Sequence, residues 1–314
     1  MAKVNSSLRS QLQVTRIADG SRLEVPMIVL AGMQSRPRLV CVAGIHGDEP
    51  EGMRALMELA DELDPTKLKG ELVLIPVANP SAFGAGSRVS PLDGLDLNRI
   101  FPGRANGSAS ERLAHALFEQ VLSKADFVFA LHSWYSSGEV LPYVEYGHAI
   151  AGTARASLAA ARAAGFDLIR VSNWSPGLMT RMVNEAGIPA IESEIGGLGM
   201  ATRQGTARTK ASVRAVMAHL GMIEDEVAPW HGRIVDQFEV MSPCGGFLEV
   251  AASLGTELKE GEEFGFIRAL DGSILERITL ARPGLLAAVR RAARVQPGEL
   301  LARLFTNHEG PEAA

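Results

Sequence analysis

The stretch "VCVAGIHGDEPEG" at residues 40–52 joins a buried strand to a helix and places charged residues at the junction. It begins within the apolar run "PRLVCVAG" (37–44), which predicts a strand, and it runs into "PEGMRALMELADEL" (50–63), whose apolar residues fall on one helical face. His46 and Glu49 lie between the two, three residues apart. The stretch therefore predicts a strand–turn–helix unit that presents polar side chains where the strand ends.

Apolar runs rich in β-branched residues alternate with helical patterns through the first two thirds of the chain. Such alternation is typical of a sheet whose two faces are both covered by helices. The predicted fold class is α/β, with a mixed, largely parallel sheet flanked by helices. The predicted strands are 37–44, 71–79, 126–132 and 188–197, and the predicted helices are 50–63, 110–125, 176–187 and 206–221.

The pattern changes after about Pro229, where helical periodicity fades and glycine and proline interrupt short apolar runs. Segments 245–267 and 283–305 resemble each other, since both contain Gly, an apolar residue and Leu near the start and a Gly-Glu pair further on. A repeat of this kind predicts two similar halves of one small β-structure. We therefore expect a larger domain at residues 1–228 and a small all-β domain with an internal repeat at residues 229–314.

Composition excludes several classes of protein. The chain has 314 residues and a net charge of −5, so nothing favours nucleic acid as a partner. The two cysteines, Cys41 and Cys244, lie far apart and form no disulfide framework, which fits a reducing compartment. Neither a signal peptide nor a run of ~18 apolar residues is present, so we expect a cytoplasmic protein without a membrane span.

Three residues are candidate metal ligands. His46 and Glu49 can face one metal ion at the end of a strand, and His132 ends the predicted strand 126–132. Gly44 and Gly47 allow a sharp turn around the first histidine. Two histidines and a glutamate leave a fourth position open for water, as in catalytic zinc sites. The alternative is that His46 is a loop histidine beside a solvated acid and that His132 is a capped histidine of the core.

A hydrolytic metal site also needs a general base and groups that bind the substrate, and the sequence offers candidates for both. Glu194 lies near the end of the strand 188–197, before a glycine pair, and is a candidate general base, with Glu192 as its competitor two residues earlier. A long irregular loop rich in glycine and proline supplies Arg88, Asn98 and Arg99. Arginine binds a carboxylate through two parallel hydrogen bonds and stabilises an oxyanion, although surface arginines without a role would have the same sequence signal.

Four motifs, in order "GIHGDEPEG", "DLNRIFPG", "LHS" and "ESEIGG", resemble the succinylglutamate desuccinylase and aspartoacylase family, a branch of the zinc carboxypeptidase clan. The resemblance covers roughly residues 25–305 and includes the C-terminal β-domain, which looks like a barrel-sandwich hybrid. It implies one Zn²⁺ per chain and the following roles: His46, Glu49 and His132 as zinc ligands, Glu194 as general base, Asn98 and Arg99 as the pair that binds the substrate carboxylate, and Arg88 as the arginine that polarises the scissile carbonyl.

The sequence departs from the family at Ala130, where relatives often have an aspartate two residues before the last ligand histidine. Such a carboxylate would orient the ligand, so the departure leaves open which group does so here.

The expected function is removal of an acyl group from an N-acyl amino acid or similar small carboxylate-bearing amide, by a zinc-activated water with a glutamate base. The alternatives are a zinc carboxypeptidase or peptide amidase, which would use the same residues, and a binding protein without catalysis. A carrier role for the C-terminal repeat is disfavoured, because its Lys259 lies in "ELKEGEE" and not in a Met-Lys-Met-like context. The sequence does not identify the acyl group. It is compatible with a homo-oligomer.

Overall fold

The computed structural model describes residues 5–310. Six helices cover the sheet: α1 (Pro50–Glu62), α2 (Pro80–Ala85), α3 (Ala109–Gln120), α4 (Ala151–Ala163), α5 (Met179–Glu185) and α6 (Arg203–His219). The strands up to residue 200 are β1 (Ser6–Arg16), β2 (Arg22–Ala31), β3 (Arg38–Ala43), β4 (Glu71–Ile75), β5 (Phe127–His132), β6 (Gly138–Gly147), β7 (Leu168–Ser172) and β8 (Ala190–Gly197). The later strands are β9 (Arg233–Met241), β10 (Gly246–Val250), β11 (Glu257–Leu258), β12 (Glu263–Arg268), β13 (Ile274–Thr279), β14 (Gly284–Arg290), β15 (Arg294–Val295) and β16 (Leu300–Asn307).

A twelve-stranded main sheet runs through the described part of the chain, in the order β1-β2-β4-β3-β5-β8-β6-β7-β9-β16-β14-β11. Strand β6 also pairs with β14, so that β6, β7, β9, β16 and β14 close a five-stranded barrel at one end of the sheet. Strands β13, β12, β10 and β15 form a separate small sheet.

The main sheet is mixed and is flanked by helices, as predicted. It is parallel in only two groups of strands, so it is less parallel than predicted. Parallel pairing is confined to β4-β3-β5-β8 and to β6-β7-β9, and the remaining pairs of the main sheet are antiparallel. The sequence pattern reports burial and not strand direction. The N-terminal strands form a hairpin, and the C-terminal strands return to the sheet without crossover helices, which permits antiparallel pairing.

Both faces of the central strands are buried, as their continuous apolar runs predict. In β3, Leu39 and Cys41 face a core cluster that contains residues of α1, α4 and α6, whereas Val40 and Val42 face a second cluster with α3 and α5. Helix α1 contributes Leu56 and Leu59 to the first cluster, and both are fully buried. The stripe read from the sequence therefore fixes α1 against the strand that precedes it.

The two repeat segments have the same order of strands, long, short, long. Strand β10 pairs with β12 and strand β14 pairs with β16, both antiparallel. The short strands are exchanged, since β15 pairs with β10 and β11 with β14. The repeat units thereby interlock, and β9, β14 and β16 also continue the main sheet.

The division of the chain into domains at residues 1–228 and 229–314 stays a prediction, and its outer ends, residues 1–4 and 311–314, lie outside the described residues. Within residues 5–310, no helix is long and apolar enough to cross a bilayer. The cytoplasmic location likewise stays a prediction.

Candidate active site

The three candidate metal ligands converge at the carboxyl ends of neighbouring parallel strands. His46 lies in the turn after β3, Glu49 directly precedes α1, and His132 is the last residue of β5, which pairs with β3. His46 Nδ1 is 2.7 Å from Glu49 Oε1, and His132 Nδ1 is 2.8 Å from Glu49 Oε2. One ligand atom from each residue lies within 4.8 Å of the others, and all three side chains are buried. The structure thus brings the predicted cluster together.

The turn that holds His46 depends on its two glycines. Gly44 has a φ of +65°, in the left-handed region that favours glycine. A Cβ on Gly47 would lie 2.0 Å from the backbone carbonyl carbon of Ala82, so α2 packs directly on the turn. The close approach leaves no room for a side chain at position 47, next to His46.

Asp96 is a functional residue that the sequence analysis missed. Its Oδ1 lies 3.2 Å from His46 Nε2, and its Oδ2 accepts a hydrogen bond of 3.0 Å from Arg88 Nε. Oδ1 also accepts from the backbone N–H of Asn98 at 2.9 Å, which fixes the carboxylate at the start of a short 3₁₀ turn. A histidine that donates from Nε2 keeps the lone pair of Nδ1 for a metal. The signal was present in "DLNR", but nothing in the sequence indicated which histidine Asp96 would meet.

The charges within the cluster favour the protonated form of His46 and the ionised form of Glu49. Burial lowers the pKa of His46, but the carboxylates of Glu49 and Asp96 outweigh burial and raise it to about 9. Burial likewise raises the pKa of Glu49, but the two ligand histidines outweigh it and hold that pKa well below its usual range. His132 Nε2, in contrast, is buried without a hydrogen-bond partner among residues 5–310, and Ala130 offers no polar side chain.

Glu194 and Glu192 both line one large cavity, of about 690 Å³, together with the three candidate ligands. In the parallel pairing of β5 with β8, Glu194 lies opposite His132 and Glu192 lies opposite Ala130. Burial and the nearby Glu49 carboxylate raise the pKa of Glu194 to about 7, against the opposing effects of His132 and Arg303. Glu194 is therefore the carboxylate that lies opposite a candidate metal ligand, His132.

The predicted loop residues Arg88, Asn98 and Arg99 line the same cavity. Asn98 Oδ1 accepts a hydrogen bond of 2.9 Å from the backbone N–H of Met179, which leaves its Nδ2 group as a donor. The Arg99 side chain is anchored by Nη1, which donates to the carbonyl oxygen of Asn98 at 2.8 Å. Arg88 stacks over the ring of Tyr135 at 4.9 Å and lies 3.4 Å from Glu49 Oε1. All seven site residues named from the sequence thus surround one space.

Arg303 is a second residue that the sequence analysis missed. It lies on β16, in the C-terminal repeat, and its half-buried side chain lines the cavity. It donates to Tyr143 Oη at 3.1 Å and to Glu239 Oε1 at 3.0 Å, and it stacks over Trp134 at 4.7 Å. The C-terminal strands therefore form part of the wall of the site.

Comparisons with known proteins agree on one family. The sequence profile of the succinylglutamate desuccinylase/aspartoacylase catalytic domain matches residues 35–220. The chain is 30% identical over 278 residues to an N-alpha-acetyl-L-2,4-diaminobutyric acid deacetylase of Halomonas elongata, covering 85% of this chain and 81% of the relative.

Solved structures give the same result. The product-bound ectoine utilization protein EutE (DoeB) of Ruegeria pomeroyi superposes with a TM-score of 0.91 at 26% identity, over 96% of this chain and 95% of that one. A succinylglutamate desuccinylase/aspartoacylase of Rhodobacter sphaeroides superposes with a TM-score of 0.88 at 27% identity, over 97% and 96% of the two chains. The similarity therefore includes the C-terminal repeat as well as the helical part of the chain.

Proposed function

The chain belongs to the succinylglutamate desuccinylase/aspartoacylase family, and from this premise we propose that it is a zinc-dependent amidohydrolase that removes the acyl group from an N-acyl amino acid. The observation that supports this most is the grouping of His46, Glu49 and His132 in the wall of a cavity that also contains Glu194. The deacetylase named among the relatives acts, by its name, on an amide of this kind.

The residues present fit one zinc ion per chain. Two imidazole nitrogens and a carboxylate oxygen are ligands that zinc accepts, and three protein ligands are typical of a catalytic site with one open position. The Asp96 contact to His46 is the type of outer hydrogen bond that orients such a ligand. When bound, zinc would lower the pKa of a water molecule toward ~7 and polarise a carbonyl oxygen.

Glu194 is the proposed general base. Its pKa of about 7 suits a group that must accept a proton from water and then donate it to the leaving amine at neutral pH. Glu192, the competing candidate, accepts a hydrogen bond of 2.8 Å from Thr180 Oγ1 and lies beside another carboxylate, Glu145. These contacts hold Glu192 away from the metal cluster and favour Glu194 as the base.

Asn98 and Arg99 are the proposed carboxylate-binding pair, and Arg88 is the proposed partner of the scissile carbonyl oxygen. Arg88 is fixed by Asp96 and lies close to Glu49, so its guanidinium remains next to the cluster. A positioned cation at this place would stabilise the negative charge that develops on the oxygen during attack. The free amide of Asn98 and the guanidinium of Arg99 supply donors to a carboxylate further along the cavity.

The test is the variant Glu194→Gln, assayed for amine release from N-acetylated amino acids and for zinc content. We expect kcat to fall by at least ~100-fold, because a general base contributes that much or more, while about one zinc per chain is retained. Turnover at the wild-type rate would exclude Glu194 as the base. A zinc-loaded wild type that cleaves dipeptides faster than N-acyl amino acids would favour the carboxypeptidase alternative.

A further inference from the structure

A row of three charged residues crosses the cavity wall on adjacent strands. In the strand pairings, Glu192 of β8 lies opposite Glu145 of β6, and Glu145 lies opposite Arg170 of β7. All three side chains line the cavity, and none is more than 9% exposed. The row therefore belongs to the same space as the metal cluster, although the proposed hydrolysis does not use it.

The charges of this row do not balance. Arg170 forms an ion pair with Glu145, and it also donates to the side chains of Gln237 and Ser172. Glu192 accepts a hydrogen bond from Thr180 Oγ1 and shares another with the Glu145 side chain, but it forms no ion pair with any residue that the structure describes. The row thus contains two carboxylates and one arginine, whose Nη1 and Nη2 groups are engaged and whose Nε has no hydrogen-bond partner among the described residues. Arg303 also lowers the pKa of Glu145, but no cation pairs with Glu192 in the described residues, and a buried carboxylate without a cation partner is costly. The row can therefore accommodate one further positive charge next to Glu192.

The pKa values of the two glutamates shift in opposite directions, because only Glu145 has an arginine partner. Burial and the neighbouring Glu145 carboxylate raise the pKa of Glu192 well above its usual value. Burial also raises the pKa of Glu145, but Arg170 outweighs burial and holds that pKa low. The raised pKa favours the protonated, neutral form of Glu192, which leaves one negative charge opposite Arg170 in this row.

The row is at the correct distance from the reacting groups to meet a substrate side chain. Glu192 lies two residues before Glu194 on one strand, a separation of ~6.7 Å along the strand. Thr180, which binds Glu192, follows Met179, whose backbone N–H binds Asn98. The proposed carboxylate-binding residue and Glu192 are therefore joined through two successive residues of α5.

The aromatic side chain of Trp174 is a second feature of this region that suits a cation. It is 4% exposed, lines the cavity and lies against Glu145. Aromatic rings attract ammonium groups, most strongly where water is excluded.

We propose that Glu192 and Glu145 bind the cationic side chain of the substrate, so that the enzyme selects N-acyl diamino acids over neutral and anionic N-acyl amino acids. This inference rests on the proposed deacylase function and specifies its substrate class. An ammonium group next to Glu192 makes the row neutral with both glutamates ionised. An anionic side chain, such as that of an N-acyl aspartate, would instead place a third carboxylate in this wall.

The experiment compares two substrates of the same shape, Nα-acetyl-L-2,4-diaminobutyrate and Nα-acetyl-L-norvaline, which has a methyl group in place of the ammonium group. We expect wild type to prefer the cationic substrate by about 100-fold in kcat/KM, mainly through KM, since the loss of one partner of a buried charge pair has an effect of this size. Glu192→Gln should reduce the preference to less than about 10-fold. Glu139→Gln, the same change on β6 at a residue that pairs with exposed Arg291, should keep the wild-type ratio.

A wild-type ratio near one, or a Glu192→Gln variant that keeps the preference, would overturn the inference and leave the deacylase function intact. Calorimetry of the binding of both compounds to zinc-loaded Glu194→Gln protein separates the cation subsite from the deacylase function. If neither compound is hydrolysed by wild type but the cationic one binds about 100-fold more tightly, the deacylase function fails and the cation subsite remains. If the two bind equally, the subsite does not exist. A structural role of Glu192 alone would lower stability without changing this ratio.

Discussion

Replacement of Asp96 by asparagine should weaken zinc binding without removing a zinc ligand. The carboxylate lies 3.2 Å from His46 Nε2 and 3.0 Å from Arg88 Nε, and the basic groups around it hold its pKa well below its usual range in spite of burial. Asp96 is therefore ionised at neutral pH. Asparagine keeps the shape and one carbonyl oxygen, but it removes the negative charge that orients the imidazole and makes Nδ1 a stronger ligand.

The size of the effect follows from the single contact that is lost. An outer-shell partner of a metal ligand is worth 10- to 100-fold in metal affinity, or about 1.4–2.8 kcal/mol. Only one of the two ligand histidines has such a partner in the described residues, since His132 Nε2 has none, so no second contact can compensate. We therefore expect the zinc dissociation constant of Asp96→Asn to rise by ~10- to 100-fold.

The assay is competition for zinc between the protein and a chromophoric chelator at pH 7.5, with Asp48→Asn as the matched control. Asp48 is only two residues from His46, but the contact of its carboxylate is to the backbone N–H of Ser136 at 3.3 Å. We expect this control to change the dissociation constant by less than ~3-fold, since it removes no contact to a ligand. An unchanged dissociation constant in Asp96→Asn, or an equal loss in Asp48→Asn, would refute the assignment of Asp96.

Two further predictions concern stability. Gly47→Ala would place a Cβ 2.0 Å from the backbone of Ala82, so chemical denaturation should show a loss of ~2–4 kcal/mol in the free energy of unfolding. The control is Gly84→Ala in α2, where a Cβ meets open space, and this change should be neutral or stabilising. Equal effects of the two changes would contradict the packing argument. Glu192→Gln should be more stable than wild type without substrate. The pKa of Glu192 is raised in the folded protein, so wild type loses stability as pH rises above the unfolded value of ~4.3, and the difference in unfolding free energy between variant and wild type should widen from pH 4 toward neutrality. A difference that narrows with rising pH would refute the direction of the pKa shift.

The sequence predicted well where burial and periodicity decide the structure. The alternation of Leu39, Val40, Cys41 and Val42 between two core clusters is what a continuous apolar run implies, and the stripe on α1 lies where the pattern put it. Because β3 and β5 are parallel neighbours, their carboxyl ends meet, and the three candidate ligands lie together in the structure.

Sequence periodicity was not enough for the segment between residues 133 and 175, where no elements were predicted but the structure has β6, α4 and β7. Strand β6 contains Pro142, and the buried face of α4 is made of alanine, serine and threonine, such as Ala160 and Ser157. Side chains of this size give little hydrophobic contrast, so the pattern is weak although the packing is complete. This segment supplies Glu145 and Arg170, and the charged row therefore could not be found from the sequence.

The partner of the ligand histidine shows why a motif alone gives an incomplete site. Ala130 indicated that a carboxylate was missing near His132, and that remains so, because His132 Nε2 meets no acceptor in the described residues. The carboxylate that is present, Asp96, instead contacts His46, 50 residues earlier, through a loop whose path no periodicity encodes. A charged partner acts through distance and not through sequence separation. The metal affinity of this site should therefore depend on the loop that carries Asp96 more than on the strand that carries Ala130.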